Sequence, residues 1–193
     1  MFKGLATWVL AGVALVLVGC AHSPQQLNVQ PQIMVPLNPV ARQQPVVVAV
    51  QDTRSSKILG TRGGIYPDSS SITINDQALQ LVRQQAEQAL RQLGFDVVPE
   101  GTPNANRLTL SLADLRYQSP ATTYVTEANI SATFAAEARS LNQQYQGRYG
   151  ASAQHRFGYA PNLQTNTRLV SEVMSDALTR VFKDPEIARI LQQ

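Results

Sequence analysis

The sequence predicts an α+β fold, a two-layer sandwich in which two main helices cover one face of a mostly antiparallel sheet. Two observations support this prediction. Two segments repeat apolar residues at spacings of three and four, as amphipathic helices do, and several others alternate apolar and polar residues, as half-buried strands do. With 193 residues and no internal repeat, the chain is long enough for one domain with a sizeable core.

The first twenty residues have the pattern of a bacterial lipoprotein signal. Lys3 supplies a positive start, residues 5–18 form an almost unbroken apolar run, and Gly19 precedes Cys20, the only cysteine. The run of about 14 apolar residues falls short of the roughly 20 that span a bilayer, which disfavours an uncleaved membrane anchor. We therefore expect residues 1–19 to be a signal peptide and Cys20 to carry the lipid, including palmitate, as the first mature residue.

Residues 20–44 are predicted to be the lipidated cysteine followed by a Pro/Gln-rich tether. Four prolines deny this stretch regular backbone hydrogen bonding, although residues 27–35 alternate as a strand at a sheet edge would. At up to about 3.3 Å per residue, such a tether would reach tens of ångströms from the membrane. No Asp follows Cys20, which favours anchoring in the outer membrane, with the domain of residues 45–193 in the periplasm.

The β-branched run from Pro45 to Asp52 predicts the first core strand, and the Gly-rich residues 55–70 predict a long loop. Such loops often bind partners. The candidate partner-binding residues here are Asp52, Arg54, Lys57, Arg62, Gly63 and Gly64. A strand-end salt bridge or turn cap, and a flexible turn that links two strands, are the simpler explanations of the same residues. A phosphate-binding loop is disfavoured, because no Gly-Lys-Ser/Thr opens directly into a helix.

The rest of the chain alternates between strand and helix signals. Residues 71–74 predict a short strand, and a helix capped by Asn75 or Asp76 runs to Leu93 and stops at Gly94. Four strands are then predicted, at residues 95–98, 107–117, 124–139 and 145–157, the last two joined by a turn at residues 140–143. A helix capped by Thr165 or Asn166 follows, and Asp184-Pro185 begins a short final helix.

The composition argues against several function classes. A formal net charge of +3 is too weak to indicate nucleic-acid binding. His22, His155 and one cysteine offer almost nothing for a metal site, so no metal or cofactor is expected. The carboxylates Asp114, Glu127, Glu137 and Glu172 are scattered without a paired motif, and no Gly-x-Ser-x-Gly nucleophile motif is present. The protein is therefore predicted not to be an enzyme.

Four features together resemble the YajG-type family of bacterial lipoproteins. They are the sequence Leu17-Val18-Gly19-Cys20, the strand that ends in Asp52-Thr53-Arg54, the loop Gly60-Thr61-Arg62-Gly63-Gly64, and the helix end Leu93-Gly94-Phe95. The resemblance runs over most of the chain. It implies a lipoprotein of the cell envelope, and it assigns no catalytic residue, because the family has no accepted ones.

These observations predict a non-enzymatic lipoprotein that binds an envelope partner protein or a polymer, such as a peptidoglycan or lipopolysaccharide component, through the loop of residues 53–70. The alternative is a small-ligand module for a muropeptide or a lipid. Its pocket, between sheet and helices, would be lined by Tyr124, Tyr145, Tyr149 and Phe157. The oligomeric state stays open, since an exposed sheet edge can pair with a second copy.

Overall fold

The computed structural model describes residues 23–36, 39–62, 67–120 and 126–193. Within these residues the strands are β1 (Gln25–Leu27), β2 (Pro45–Asp52), β3 (Gly60–Thr61), β4 (Ser71–Ile74), β5 (Asp96–Val97), β6 (Asn106–Gln118), β7 (Thr126–Arg139) and β8 (Gln144–Phe157). The helices are α1 (Ala78–Gln92), α2 (Leu163–Lys183) and α3 (Pro185–Leu191), and Pro67–Ser70 forms a 3₁₀ turn. Cys20, Gly63, Gly64 and Tyr124 lie outside the described residues, so the predictions made for them stay predictions.

The predicted α+β class is confirmed, but the sheet is mixed rather than mostly antiparallel. β6, β7 and β8 pair antiparallel, whereas β2 runs parallel to both β5 and β6, and β1 runs parallel to β4. β2 runs parallel to β5 and β6 because the chain returns to the sheet through α1, a crossover connection, before it forms these two strands. The sheet also curls, so that α2 contacts both β1 and β8, which lie at opposite ends of the strand order.

β6 is the central strand of the sheet. One of its edges pairs with β7 along its length, and its other edge is shared by two strands. β2 follows β6 as far as Leu112, and β3 resumes at Tyr117 in the same parallel direction. Residues 53–59 leave the sheet between these two points, where β6 itself has a register irregularity after Leu112. We call residues 53–59 the excursion, because β2 and β3 behave as one interrupted strand.

The core lies between the helices and the inner face of the sheet. β7 contributes a nearly regular row of buried small and apolar side chains: Ala128, Ile130, Ala132, Phe134, Ala136 and Ala138. Alanines in this row let α2 approach the sheet closely, and α2 fills the space with Leu169, Val170, Val173, Met174, Ala177, Leu178 and Val181. Both predicted helical stripes are therefore core faces.

The helix ends follow local hydrogen bonding. Neither Asn75 nor Asp76 caps α1 with its side chain, so that prediction is wrong: the Asn75 amide instead donates to Asn28 at 2.9 Å. α2 begins earlier than predicted, because the Asn162 side chain accepts the Thr165 N–H at 2.8 Å. The cap of α3 is confirmed, since Asp184 accepts the Glu186 N–H at 2.9 Å.

Much of the predicted tether is packed against the domain. β1 pairs with β4, and both Leu27 and Val29 are fully buried. Further along, the N–H groups of Val40 and Ala41 each donate to the Leu93 carbonyl at 2.9 Å. The ordered unit therefore includes residues 23–36 and 39–44 and does not start at Pro45, because the apolar residues of this stretch have a core to enter that the prolines do not obstruct.

Residues 28–36, called the strap here, run along α2 through a regular ladder of hydrogen bonds. The backbone N–H groups of Gln30, Gln32 and Met34 donate to the hydroxyls of Ser171, Ser175 and Thr179 at 3.0, 2.9 and 3.2 Å. Two residues of extended chain advance about 6.6 Å, and four residues of helix advance about 6.0 Å, so the two repeats stay in step. The helix hydroxyls thus replace the neighbouring strand that this segment lacks.

Candidate functional site

The excursion begins with a compact ionic cluster. Asp52 ends β2, and the Arg54 guanidinium grips its carboxylate in a two-point contact, with Nε 2.9 Å from Oδ1 and Nη2 2.7 Å from Oδ2. The Lys57 ammonium donates to the same carboxylate from the solvent side. Local sequence explains the shape, because the Arg54 N–H also donates to Asp52 Oδ1 at 3.1 Å, which turns the chain sharply where the strand stops.

The cluster is unevenly buried. The Arg54 and Asp52 side chains are 4% and 10% exposed, whereas Lys57 is 68% exposed. Hydrogen bonding from Arg54, reinforced by Lys57, holds the pKa of the Asp52 carboxyl far below its usual range in spite of burial. Asp52 is therefore a permanent anion at neutral pH, which suits it to hold Arg54 and not to transfer protons.

Two buried polar atoms beside this cluster have no hydrogen-bond partner within the described protein: Arg54 Nη1, a donor, and Asn75 Oδ1, an acceptor. Both residues line a cleft of about 190 Å³ whose other walls are Asp52, Lys57, Ile74, Asp76 and Leu79. Buried polar atoms are normally satisfied, so two residues that carry an unpaired donor and an unpaired acceptor in the walls of one cleft mark it as the candidate site.

The predicted partner-binding residues do not all meet in this cleft. Asp52, Arg54 and Lys57 do, but Arg62 lies beyond β3, where its guanidinium donates to the carbonyls of Pro161 at 3.2 Å and Ser23 at 3.5 Å. Asp52 pairs with Leu112 and Gly60 with Tyr117, so the two places are separated by roughly 16 Å along β6. Arg62 therefore clamps the start of β1 to the start of α2.

Asn75, Asp76 and Leu79 belong to the cleft although the sequence pointed only to helix formation there. Asn75 is held in place by two contacts to the strap side of the molecule, its N–H to the Leu27 carbonyl at 3.0 Å and its side-chain amide to Asn28. The strap is distant in sequence, so no local pattern announces this contact. The only sequence signal at this position was Asn75 itself, a capping-type residue just before α1, and its side chain does not cap the helix.

The outer face of β6, β7 and β8 carries two shallow polar grooves, of about 410 and 500 Å³. Its carboxylates are already engaged. Asn129 donates to Glu127 at 3.0 Å, and Gln154 and Arg156 also donate to it, which lowers the pKa of the Glu127 carboxyl. Glu137 similarly accepts from Arg139 at 2.7 Å. These side chains therefore satisfy one another.

The tyrosines proposed to line a ligand pocket have an internal role. The hydroxyls of Tyr145 and Tyr149 both donate to Asp184 Oδ2, at 3.0 and 2.5 Å. Burial, then the hydrogen bond to Asp184, raises the pKa of Tyr149. Because Asp184 also caps α3, the two tyrosines join β8 to the corner between α2 and α3. Phe157 is half-buried beside His155, with ring centroids 6.2 Å apart.

The described residues show neither a metal-binding cluster nor a membrane-spanning helix. Among those residues, no group of three or more His, Cys, Asp and Glu side chains is arranged to hold a metal ion. In the same part of the chain, no helix combines the length and the hydropathy needed to cross a bilayer.

The chain matches one protein-family model over most of its length. Residues 31–192 match the family model Lipoprotein_16, described as "Uncharacterized lipoprotein". The chain belongs to this family. The predicted resemblance to YajG-type lipoproteins is thereby confirmed, and the match begins within the strap, not at Pro45. No curated protein sequence matches this lipoprotein.

Several solved structures are similar to the lipoprotein. A Xanthomonas campestris protein of the family DUF330 is 15% identical and aligns over 88% of this chain and 94% of its own, with a TM-score of 0.44. A candidate lipoprotein from Caulobacter crescentus is 18% identical over 61% and 85%, with a TM-score of 0.38. The PelC dodecamer from Paraburkholderia phytofirmans is 16% identical over 74% and 94%, with a TM-score of 0.33.

Proposed function

We propose that this lipoprotein is anchored in the outer membrane through Cys20, faces the periplasm, and serves a non-enzymatic role by binding an envelope protein or polymer at the Asp52–Arg54 cleft. The observation that carries the proposal is the spare hydrogen-bonding capacity of Arg54 Nη1 and Asn75 Oδ1, two buried atoms of residues that line one cleft. Membership of a lipoprotein family supports the anchor.

The chemistry of the cleft favours recognition over catalysis. Its one buried carboxylate is locked in the charged form by Arg54, so it has no proton to give and little basicity. Arg54 presents its remaining N–H donors in a fixed plane, which is the geometry used to recognise carboxylate, phosphate or carbonyl oxygens. Lys57, largely exposed at the rim, adds a positive charge that attracts an oxygen-rich partner.

The cleft suits a projecting group of a larger partner. Small-molecule sites commonly enclose roughly 300–1,000 Å³, whereas this cleft holds about 190 Å³. A side chain, a peptide terminus or one substituent of a polymer would fit that volume. A free muropeptide or lipid, the alternative predicted from the aromatic residues, is supported less well, because the hydroxyls of Tyr145 and Tyr149 are bound to Asp184.

Site-specific photo-crosslinking in intact cells tests this proposal. A photoreactive residue at position 57 is expected to capture a discrete envelope component, and the same residue at Leu141, exposed on the distant turn, should not. Adding Cys20→Ala, which removes the lipid site, should release the protein from the membrane fraction and reduce the captured product. Identical capture from both positions, or none from position 57 in correctly localised protein, would contradict partner binding at the cleft.

A further inference from the structure

The chain enters the folded domain almost directly after Cys20. Only two residues lie between Cys20 and Ser23, whose carbonyl accepts a hydrogen bond from Arg62, and β1 begins two residues after Ser23. At about 3.3–3.6 Å per residue, Cys20 and Ser23 can be separated by no more than roughly 11 Å. The predicted reach of tens of ångströms is therefore not available unless β1 and the strap detach.

Strand register places one set of element ends around this entry point. Gln25 pairs with Ile72, near the start of β4, Thr61 pairs with Ser71, and Gly60 pairs with Tyr117 near the end of β6. β7 starts and β8 stops at this end as well, because Thr126 pairs with Phe157. Arg62 joins it to Pro161, just before α2. We call this the entry end of the molecule.

Buried polar contacts hold the entry end firmly. The Tyr117 hydroxyl donates to Asn166 Oδ1 at 2.9 Å, and the Asn166 amide donates to the Gln25 side chain at 2.7 Å. Asn166 is fully buried, and Gln25 is 7% exposed. This network ties β6, α2 and β1 together, so the core fixes the position of β1 at this end.

Two large apolar side chains project from the entry end. Tyr159, directly after β8, is 79% exposed, and Leu163, the first residue of α2, is 48% exposed. Tyrosine is enriched where a protein meets the headgroup layer, because its ring is apolar and its hydroxyl is polar. The nearby cations are paired, Arg156 with Glu127 and Arg168 with Glu172. This end therefore favours an interfacial contact over an electrostatic one.

We propose that the entry end rests on the headgroup layer of the membrane that holds the Cys20 lipid, with Tyr159 and Leu163 inserted at the interface. This inference rests on the proposed lipidation and adds the orientation of the domain. The opposite end, with the turn between β7 and β8 at residues 140–143, then points away from the membrane. The Asp52–Arg54 cleft then lies between the two ends of the molecule, and its distance from the membrane is set by the register of β2 on β6.

Tryptophan fluorescence tests the orientation, because the only tryptophan, Trp8, precedes Cys20 and is absent from the predicted mature protein. The mature, lipidated Tyr159→Trp protein, which begins at Cys20, is reconstituted in phosphatidylethanolamine–phosphatidylglycerol vesicles with brominated acyl chains. Its emission is expected to shift to the blue and to be mostly quenched. Leu141→Trp, 76% exposed at the opposite end, is the matched control and should keep its emission. The quenching should persist in high salt.

Vesicle flotation separates the two proposals. If both variants float and Cys20→Ala does not, the anchor stands, and the quenching contrast alone decides the orientation. Equal quenching of both variants, or an unquenched Tyr159→Trp on floating vesicles, overturns the proposed orientation. If the lipidation-competent protein does not float, the anchor itself is wrong and the orientation is rejected with it.

Discussion

The strap and the excursion are both irregular stretches that leave the sheet, yet they are held in opposite ways. The strap satisfies alternate backbone N–H groups on three hydroxyls of α2 and is preceded by fully buried Leu27. The excursion is held at one end by the Asp52 carboxylate, which pairs with Arg54 and Lys57, and at the other end by the Leu59 N–H, which donates to the Ile72 carbonyl at 2.8 Å. Residues 55–58 between these ends are exposed. The strap is therefore secured by repeated contacts along its length, whereas the contacts of the excursion lie at its two ends and leave Arg54 Nη1 unpaired.

The two stretches also meet. Asn75 contacts the beginning of the strap through Asn28, and it lines the cleft together with Arg54. The packing of the N-terminal stretch therefore shapes one wall of the cleft. Substitutions in the strap should therefore lower the free energy of unfolding. Substitutions in the excursion should lower it too and should also weaken binding of the proposed partner.

The largest expected effect comes from Leu27→Ala. Because Leu27 is fully buried, removing its side chain leaves a core cavity, and the free energy of unfolding should fall by about 3 kcal/mol. Urea denaturation of the mature protein measures this loss. Gln26→Ala, at the exposed neighbouring position, is the control and should change the value by less than about 0.5 kcal/mol. A similarly small effect at Leu27 would mean that β1 is not part of the cooperative unit.

Asp52→Asn should have the next largest effect and should depend on pH. At pH 7 it leaves the buried Arg54 guanidinium without its anion, which should cost about 3 kcal/mol. The folded-state pKa of Asp52 is depressed, so the stabilisation from its charge is present above its unfolded pKa of about 3.9 and is lost as pH falls through the folded value.

Paired urea titrations at pH 7 and pH 3 test the sign of this dependence. The difference in the free energy of unfolding between wild type and Asp52→Asn should be smaller at pH 3, because part of the stabilisation from the charged wild-type carboxylate is lost there. A difference that stays constant or widens would show that the ion pair does not act through charge.

Ser175→Ala should have the smallest effect. The exposed Gln32 N–H can donate to water when the Ser175 hydroxyl is removed, and alanine favours the helix. The free energy of unfolding should therefore fall by about 0.5 kcal/mol or less. Amide hydrogen exchange gives the sharper readout. The Gln32 amide should exchange faster, while the Met34 amide, bound to Thr179, keeps its protection. Unchanged exchange at Gln32 would contradict the ladder.

Much of the secondary structure was predictable because its causes are local. The alternation in β6, β7 and β8, the apolar stripes of α1 and α2, and the Asp184-Pro185 start of α3 all appear where the sequence indicates them. Strand direction was not predictable, because alternation is the same in parallel and antiparallel pairs. The strap was missed because its hydrogen-bond partners lie about 140 residues away.

The candidate site was predictable only in part. Asp52, Arg54 and Lys57 fall within six consecutive positions, so their meeting is a local event. The separation of Arg62 from them depends on how far β3 continues along β6, and the arrival of Asn75 depends on the strap. Neither the separation of Arg62 nor the position of Asn75 can be predicted from local sequence.

By itself, the sequence determined the α+β class, the helices, the long strands, the lipoprotein pattern before Cys20 and the ion pair of the excursion. Each of these follows from residues that are neighbours in the chain or that recur with a fixed period. Only the tertiary structure decided the mixed curled sheet, the packing of the strap on α2, the unpaired atoms of the cleft and the entry end. Those features depend on contacts between distant segments, which form only when burial of a shared core brings the segments together.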